Sequence, residues 1–116
     1  MNIDGNAKML RIYLGETDKW QGQSLYDAIV EMLKKNGIAG ATVTRGIEGF
    51  GRKSRIHTAS ILRLSQDLPV IIEAVDNEDR IRKILPDISD MVTGGLITLE
   101  DVEIVKYCSD TSEDSK

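Results

Sequence analysis

One cysteine, Cys108, and one histidine, His57, are the whole supply of thiol and imidazole in this chain. A lone thiol closes no internal disulfide, and one Cys with one His does not complete a zinc site, so a reduced, cytoplasmic setting is expected. Aromatic residues make up only 4% of the chain. That leaves Tyr13 as the single candidate for a base-stacking platform in a central strand, and single-stranded RNA binding ranks last among the functions considered. Positive charge is also short: the formal net charge is −4 and the pI is near 5.0, which argues against general binding to DNA or to an anionic membrane. No apolar run approaches the ~18 residues needed to cross a bilayer, and the N-terminus lacks the basic, apolar and small-residue order of a signal peptide. Repeats of solenoid length are missing too.

What is present is an ordinary globular balance, 41% hydrophobic and 29% charged over 116 residues, enough for one domain with a real core. Residues 1–7 read as a frayed lead-in and 109–116 as a disordered acidic tail, leaving 8–108 as the domain. Lys8 to Leu14 alternates, with Leu10, Ile12 and Leu14 on one side, and predicts a strand. Gly15 to Gln23 is polar and turn-rich. Ser24 opens a helix, with Asp27 as its capping-box partner, an apolar face of Leu25, Ile29, Met32 and Leu33, and Lys34 and Lys35 in the last turn before Gly37. Ala41 to Ile47 predicts a second strand, and Val70 to Val75 a third, apolar on both faces and so in need of a second cover, another subunit being the economical one. Glu73 on that strand is either a satisfied interface carboxylate, the preferred reading, or a site residue.

Asp76 or Asn77 caps the next helix, carried by Ile81, Ile84, Leu85, Ile88, Met91 and Val92, with Pro86 expected to kink or divide it. After Thr93-Gly94-Gly95 comes a last strand, Leu96–Leu99 and Val102–Tyr107, with a bend expected near Glu100-Asp101. Strand, helix, strand, strand, helix, strand is the split β-α-β order of an α+β, ferredoxin-like βαββαβ domain: an antiparallel sheet with two helices on one face.

The stretch that stands out is Arg45 to Arg63, RGIEGFGRKSRIHTASILR. Arg45, Arg52, Lys53, Arg55 and Arg63 oppose the single carboxylate Glu48 there, and Gly46, Gly49 and Gly51 lie among them. Glycine lets backbone N–H groups approach an anion while Arg and Lys supply charge, so phosphate is the first ligand to consider. The alternative is a solvated loop whose charges only keep it soluble. It is not a Walker A loop, because Arg52 and Lys53 stand where Lys-Ser/Thr would be, and Ser54 replaces the third glycine of a dinucleotide signature. Connections this long are rare unless functional. Trp20 either caps the core or stacks on a ligand base, and His57 is either a loop-packing imidazole or a ligand contact.

Taken together, Gly49-Phe50-Gly51-Arg52 with His57 downstream, then Leu68 to Val75 (LPVIIEAV), then Thr93-Gly94-Gly95, resemble the PII-like nitrogen-regulatory proteins. The runs RIYLGETDKW, GIAGATVTRGIEGFG and LSQDLPVIIEAVD are similar to a branch known mainly as uncharacterised small proteins of bacteria and archaea. The resemblance spans roughly residues 8–107. It implies a homotrimer with projecting T-loops, here about 46–68, and an adenine nucleotide in each cleft between subunits. It implies further that Gly49, Phe50, Gly51, Arg52 and Lys53 form the T-loop base, with Thr93, Gly94 and Gly95 of the adjacent chain as the phosphate-wrapping B-loop; Arg45 and Gly46 are candidate nucleotide-binding residues beside them. Trp20 and His57 are further candidate contacts. Leu96-Ile97-Thr98-Leu99 follows the B-loop where the nitrogen regulators carry more glycines and a lysine, so AMP or ADP is expected before ATP. No tyrosine stands in the T-loop for uridylylation, and 2-oxoglutarate sensing finds no support.

The expected function is a non-enzymatic regulator that couples nucleotide binding to T-loop conformation and to docking on an unidentified target protein, a transporter or an enzyme. No cofactor is required, and Mg²⁺ is a possible companion of the nucleotide. The rival from another class is a small enzyme acting on a phosphate or acyl-phosphate, with an arginine holding the anion and His57 as acid or base.

Overall fold

A central strand paired along both edges organises the molecule, whose computed structural model describes residues 5–51 and 67–108. This strand, β1 (Gly5–Gly15), precedes a two-residue hairpin, β2 (Lys19–Trp20) and β3 (Gln23–Ser24), then α1 (Leu25–Lys35) and β4 (Thr42–Arg45). β5 (Pro69–Asn77), α2 (Glu78–Met91) and β6 (Leu96–Ile104) complete the chain. The sheet order is β4-β5-β1-β6, every pair antiparallel, which is the expected ferredoxin-like arrangement. β1 starts at Gly5 rather than Lys8, so Gly5–Ala7 of the predicted lead-in belong to the sheet, opposite Ile104 to Val102 of β6.

Alternation along the strands decides which face is covered. Leu10, Ile12 and Leu14 of β1 and Val70, Ile72 and Ala74 of β5 are buried beneath Leu25, Ala28, Ile29 and Leu33 of α1 and Ile81, Ile84, Ile88 and Met91 of α2. Burying one such aliphatic side chain contributes about 1.5–3 kcal/mol, so this layer is the dominant stabilising term. Trp20 packs partly buried against the same core. The opposite face, with Met9, Arg11, Tyr13, Ile71, Glu73 and Val75, has no helix over it among the described residues, and β5 alternates buried and half-buried along its length.

The helix ends follow sequence chemistry unevenly. Gly37 takes φ +81 and donates to the Lys34 carbonyl at 3.2 Å, while Ile38 N–H donates to the Leu33 carbonyl at 3.1 Å, a Schellman closure sealed by two buried aliphatics. Ser24 is the N-cap of α1, but its side chain makes no capping hydrogen bond, so the expected capping box does not form. In α2 the cap is Asn77, whose side chain accepts from Arg80 N–H at 2.8 Å.

Asp76, fully buried, instead ties elements together. It accepts from Ala39 N–H at 2.9 Å and Asn77 N–H at 2.7 Å and pairs with Arg80 at 3.1 Å. Pro86 does not divide α2. It lies on the exposed side of one unbroken helix, where the carbonyl it leaves without a donor can face water.

β6 also runs without the expected bend. Its register to β1 is unbroken from Leu96 to Ile104, because Glu100 lies 3.6 Å from Arg11 and Asp101 pairs with Lys8, so cross-strand cations neutralise the two acids that read as a turn. Val105–Tyr107 lie beyond its end, and β4 stops at Arg45, short of the predicted Ile47. Residues 52–66 of the expected T-loop and the tail after Cys108 lie outside the described residues.

Candidate functional site

β1 and β4 finish, and β5 and β6 begin, at one end of the sheet, so the turns that carry Gly46, Gly49 and Thr93–Gly95 lie there. The Arg45–Gly51 stretch leaves β4 at this end and the chain returns through Asp67–Pro69. Gly46 N–H donates to the Pro69 carbonyl at 2.7 Å. A Cβ on Gly46 or Gly49 would come within 2.8 or 3.0 Å of the Pro69 ring, so both glycines let the outgoing strand lie flat on the returning one. The returning stem is fastened in turn to the β1–β2 turn. Glu16 N–H donates to the Leu68 carbonyl at 2.8 Å, and Asp67, at φ +48, accepts from Thr17 N–H at 3.2 Å and Thr17 Oγ1 at 2.9 Å.

Charge at this end is also arranged. Arg45 Nη2 lies 2.6 Å from Glu16 Oε2, with the arginine side chain 62% exposed and the glutamate 20%. Ile47 and Phe50 project into solvent beside it. Arg52, Lys53 and His57 lie outside the described residues, so neither their expected positions nor their roles have a structural counterpart.

Thr93, Gly94 and Gly95 make the turn from α2 into β6 at the same end. Gly95 sits against β1: a Cβ there would fall 2.4 Å from the Tyr13 carbonyl oxygen and 3.1 Å from Val92 Cγ1, so only glycine fits. This turn feeds β6, whereas Arg45–Gly51 leaves β4, and β4 and β6 are the two edges of the sheet. With β5 and β1 between them, the two turns are three strand spacings apart, about 14 Å. One chain therefore presents both glycine turns on one end but does not bring them together. Trp20 belongs to the hairpin following β1 and packs, partly buried, against the core.

Sequence reasoning passed over Glu16, Thr17, Asp67 and the β2–β3 hairpin, whose turn at Gln21 (φ 48) and Gly22 (φ 86) is of the type that joins two-residue hairpins. A signal existed for Glu16, a carboxylate directly after a strand in a chain whose basic residues concentrate elsewhere; its partner is distant in sequence.

Away from this end, an open groove of about 520 Å³ runs over the uncovered sheet face, bordered by Met9, Thr42, Glu73, Val75, Lys106 and Tyr107. Arg11 there donates to Glu73 Oε2 at 2.9 Å, and that hydrogen bond holds its guanidinium pKa above the ordinary value. Glu73 is thus a paired carboxylate, and Ala39, Gly40 and Ala41 of the α1–β4 connection border the groove as well. Among the described residues no group of three or more His, Cys, Asp or Glu is placed to hold a metal ion, and no helix is long and apolar enough to cross a membrane.

Residues 7–104 match the DUF190 family model, described as uncharacterised ACR. A UPF0166 protein of Methanocaldococcus jannaschii is 45% identical over 101 residues, covering 86% of this chain and 93% of that protein. A UPF0166 protein of Aquifex aeolicus is 39% identical over 98 residues, covering 84% and 92%. Among solved structures, CPII from Thiomonas intermedia K12, bound to ADP and bicarbonate, superposes with a TM-score of 0.63 at 18% identity over 87% of this chain and 90% of CPII. A putative PII-like signalling protein from Thermus thermophilus gives 0.61 at 18% identity over 90% and 94%. At these identities the structural likeness is one of fold: a PII-like, ferredoxin-like domain.

Proposed function

This chain belongs to the DUF190 family, and from that premise we propose that it is a PII-like, non-enzymatic regulator that binds an adenine nucleotide between subunits of a homotrimer. The observation carrying this reading is the placement of the glycine turns: Gly46 and Gly49 at one sheet edge, Thr93–Gly95 at the other, both at the same end. Two turns about 14 Å apart in one chain become neighbours when the edge of a second chain is brought alongside, and the joint cradle then offers backbone N–H groups with Arg45 at its border. Support also comes from CPII, which has the same fold and is described with ADP, AMP and bicarbonate bound.

In this reading Gly46, Gly49, Phe50, Gly51, Arg52 and Lys53 form the T-loop base, and Thr93, Gly94 and Gly95 of the next subunit wrap the phosphates. Mg²⁺, where it accompanies the nucleotide, would be held by the phosphate oxygens and would neutralise part of their charge. Phosphate contact fixes the outgoing stem, and the loop beyond then presents one conformation to a cytoplasmic target protein. The uncovered sheet face, with Met9, Tyr13, Ile71 and Val75, is the surface that assembly would bury. No observation among the described residues favours the phosphate or acyl-phosphate enzyme.

Calorimetry and thermal shift with AMP, ADP and ATP, with and without Mg²⁺, test the proposal, with native mass measurement alongside. A trimer that binds at least one nucleotide is the expected result, and Arg52→Ala then weakens binding by about 1–3 kcal/mol through loss of a charge-assisted bond. A monomer, or a protein that gives no heat and no shift with any of the three, removes the reading.

A further inference from the structure

Both flanks of the sheet end in strands whose outer edges pair with nothing among the described residues: β4 pairs only with β5, and β6 only with β1. Proteins blunt such edges with proline, lysine, bulges or very short strands, because a row of free N–H and C=O groups is a template for another chain. β6 is nine residues long, contains neither proline nor lysine, and keeps an unbroken register to β1. Of its acids, Glu100 lies 3.6 Å from Arg11 and Asp101 is paired with Lys8, which leaves Glu103 outside any ion pair among the described residues. β4 is short, but its Thr-Val-Thr run suits a half-buried pleated surface and is exposed throughout.

Direction decides which edges fit. Neighbouring strands are antiparallel across the whole order β4-β5-β1-β6, so β4 and β6 of one chain run in opposite senses. A β6 laid on the outer edge of another chain's β4, glycine turns at the same end, is therefore antiparallel to it. Two like edges pair antiparallel only with their glycine turns at opposite ends. Side chains must also keep to one face across the joint. Thr42 and Thr44 share the open face with Glu73 and Ile71, and Thr98 and Leu96 share it with Arg11 and Tyr13. Setting Thr44 opposite Leu96 and Thr42 opposite Thr98 meets that condition and puts Gly46 opposite Gly94. The same register carries the far half of β6 past the start of β4 to the end of α1. Glu103, on the helix side of the sheet opposite Asn6, then comes level with Gly37, beside the exposed Lys34 and Lys35. Neither lysine has an ion pair among the described residues, so the charges across the joint are complementary.

We infer that β6 of one copy of this chain adds to β4 of the next as an antiparallel strand, and that this seam closes the gap between the Gly46–Gly49 and Thr93–Gly95 turns. Each copy keeps one free β4 and one free β6, so the pairing propagates until a ring closes. The inference rests on the intersubunit reading above and adds to it the surface by which the subunits meet.

The test is covalent trapping of the full chain carrying Cys108→Ser, which removes the exposed native thiol. Thr44→Cys with Leu96→Cys, and separately Thr42→Cys with Thr98→Cys, are oxidised mildly and run on a denaturing gel without reductant. Within one chain the two positions of each pair lie on opposite sheet edges, about 14 Å apart, whereas a disulfide needs Cα atoms within roughly 7 Å, so any bridge joins two copies. Each double variant is expected to give a ladder of covalent oligomers that ends at the chain number found by native mass measurement and collapses on reduction. Each single variant is expected to stay monomeric on the same gel. An assembled protein in which neither double variant cross-links overturns the inference, and nucleotide binding by that assembly leaves the reading beneath it standing. Single variants that form covalent dimers as readily as the doubles form ladders mean that like edges meet, and overturn it too. A protein that is monomeric by native mass removes the seam and the intersubunit reading together.

Discussion

The two faces of the sheet are made from the same strands and differ in what they ask of a neighbour. On the covered face Leu10, Ile12 and Ile72 are sealed beneath two helices with no charged group except Asp76, whose carboxylate is met by two backbone donors and Arg80. On the open face Ile71, Val75, Met9 and Tyr13 share the surface with Arg11, which lies between Glu73 and Glu100. The covered face is finished within one chain. The open face is a mixture, apolar enough to benefit from cover and already neutralising most of the charge that cover would strand. The lesson is that strand alternation fixes which residues share a face, while the cover for that face has to be found elsewhere in the chain or in another copy.

The sharpest way to break this contrast is a pair of truncations at adjacent residues on opposite faces. Ile72→Ala, on the sealed face, should cost about 3–4 kcal/mol in chemical denaturation. Ile71→Ala should cost under about 1 kcal/mol in dilute solution and more as protein concentration rises if copies cover that face. Equal costs at every concentration would mean the faces do not differ as described. Next in size is Gly95→Ala, whose methyl would meet the Tyr13 carbonyl; the loss should be about 2–3 kcal/mol, accompanied by loosening of the amides at the start of β6 in hydrogen exchange. Asn77→Ala, which removes the cap of α2 at the rim of the covered face, should cost about 1 kcal/mol.

The smallest effect belongs to acid. The Arg82 hydrogen bond, aided by Lys8, holds the Glu78 carboxyl below its ordinary value, and the Lys8 hydrogen bond does the same for Asp101. Carboxyls depressed in the folded state stabilise it above their unfolded values, and that contribution is lost as pH falls through the unfolded and then the folded pKa. Denaturation midpoints should therefore fall between about pH 5 and pH 3, and Glu78→Gln with Asp101→Asn should flatten the fall. Both groups are exposed, so the slope should be slight.

Much of this was legible because it is local. Leu10, Ile12 and Leu14 announced β1 by alternation, and Gly37 after two lysines announced the end of α1 by needing a left-handed backbone. What escaped was set by partners far along the chain. Glu100-Asp101 looked like a bend until Arg11 and Lys8 were placed across from them, and Gly5–Ala7 looked frayed until Val102–Ile104 lay alongside. At the candidate site the glycines were visible as glycines, but not the reason Gly46 and Gly49 are needed, which is the ring of Pro69. Glu16 read as one more polar turn residue because its pairing with Arg45 spans the first helix.

The register of the central strand has a consequence for how the molecule is made. Gly5 lies opposite Ile104 and Tyr13 opposite Leu96, so β1 leaves the ribosome long before the strand that closes one of its flanks. Until residue 104 has been synthesised, that flank is an open template of backbone donors and acceptors, and the growing chain is most at risk of pairing with the wrong partner during that interval.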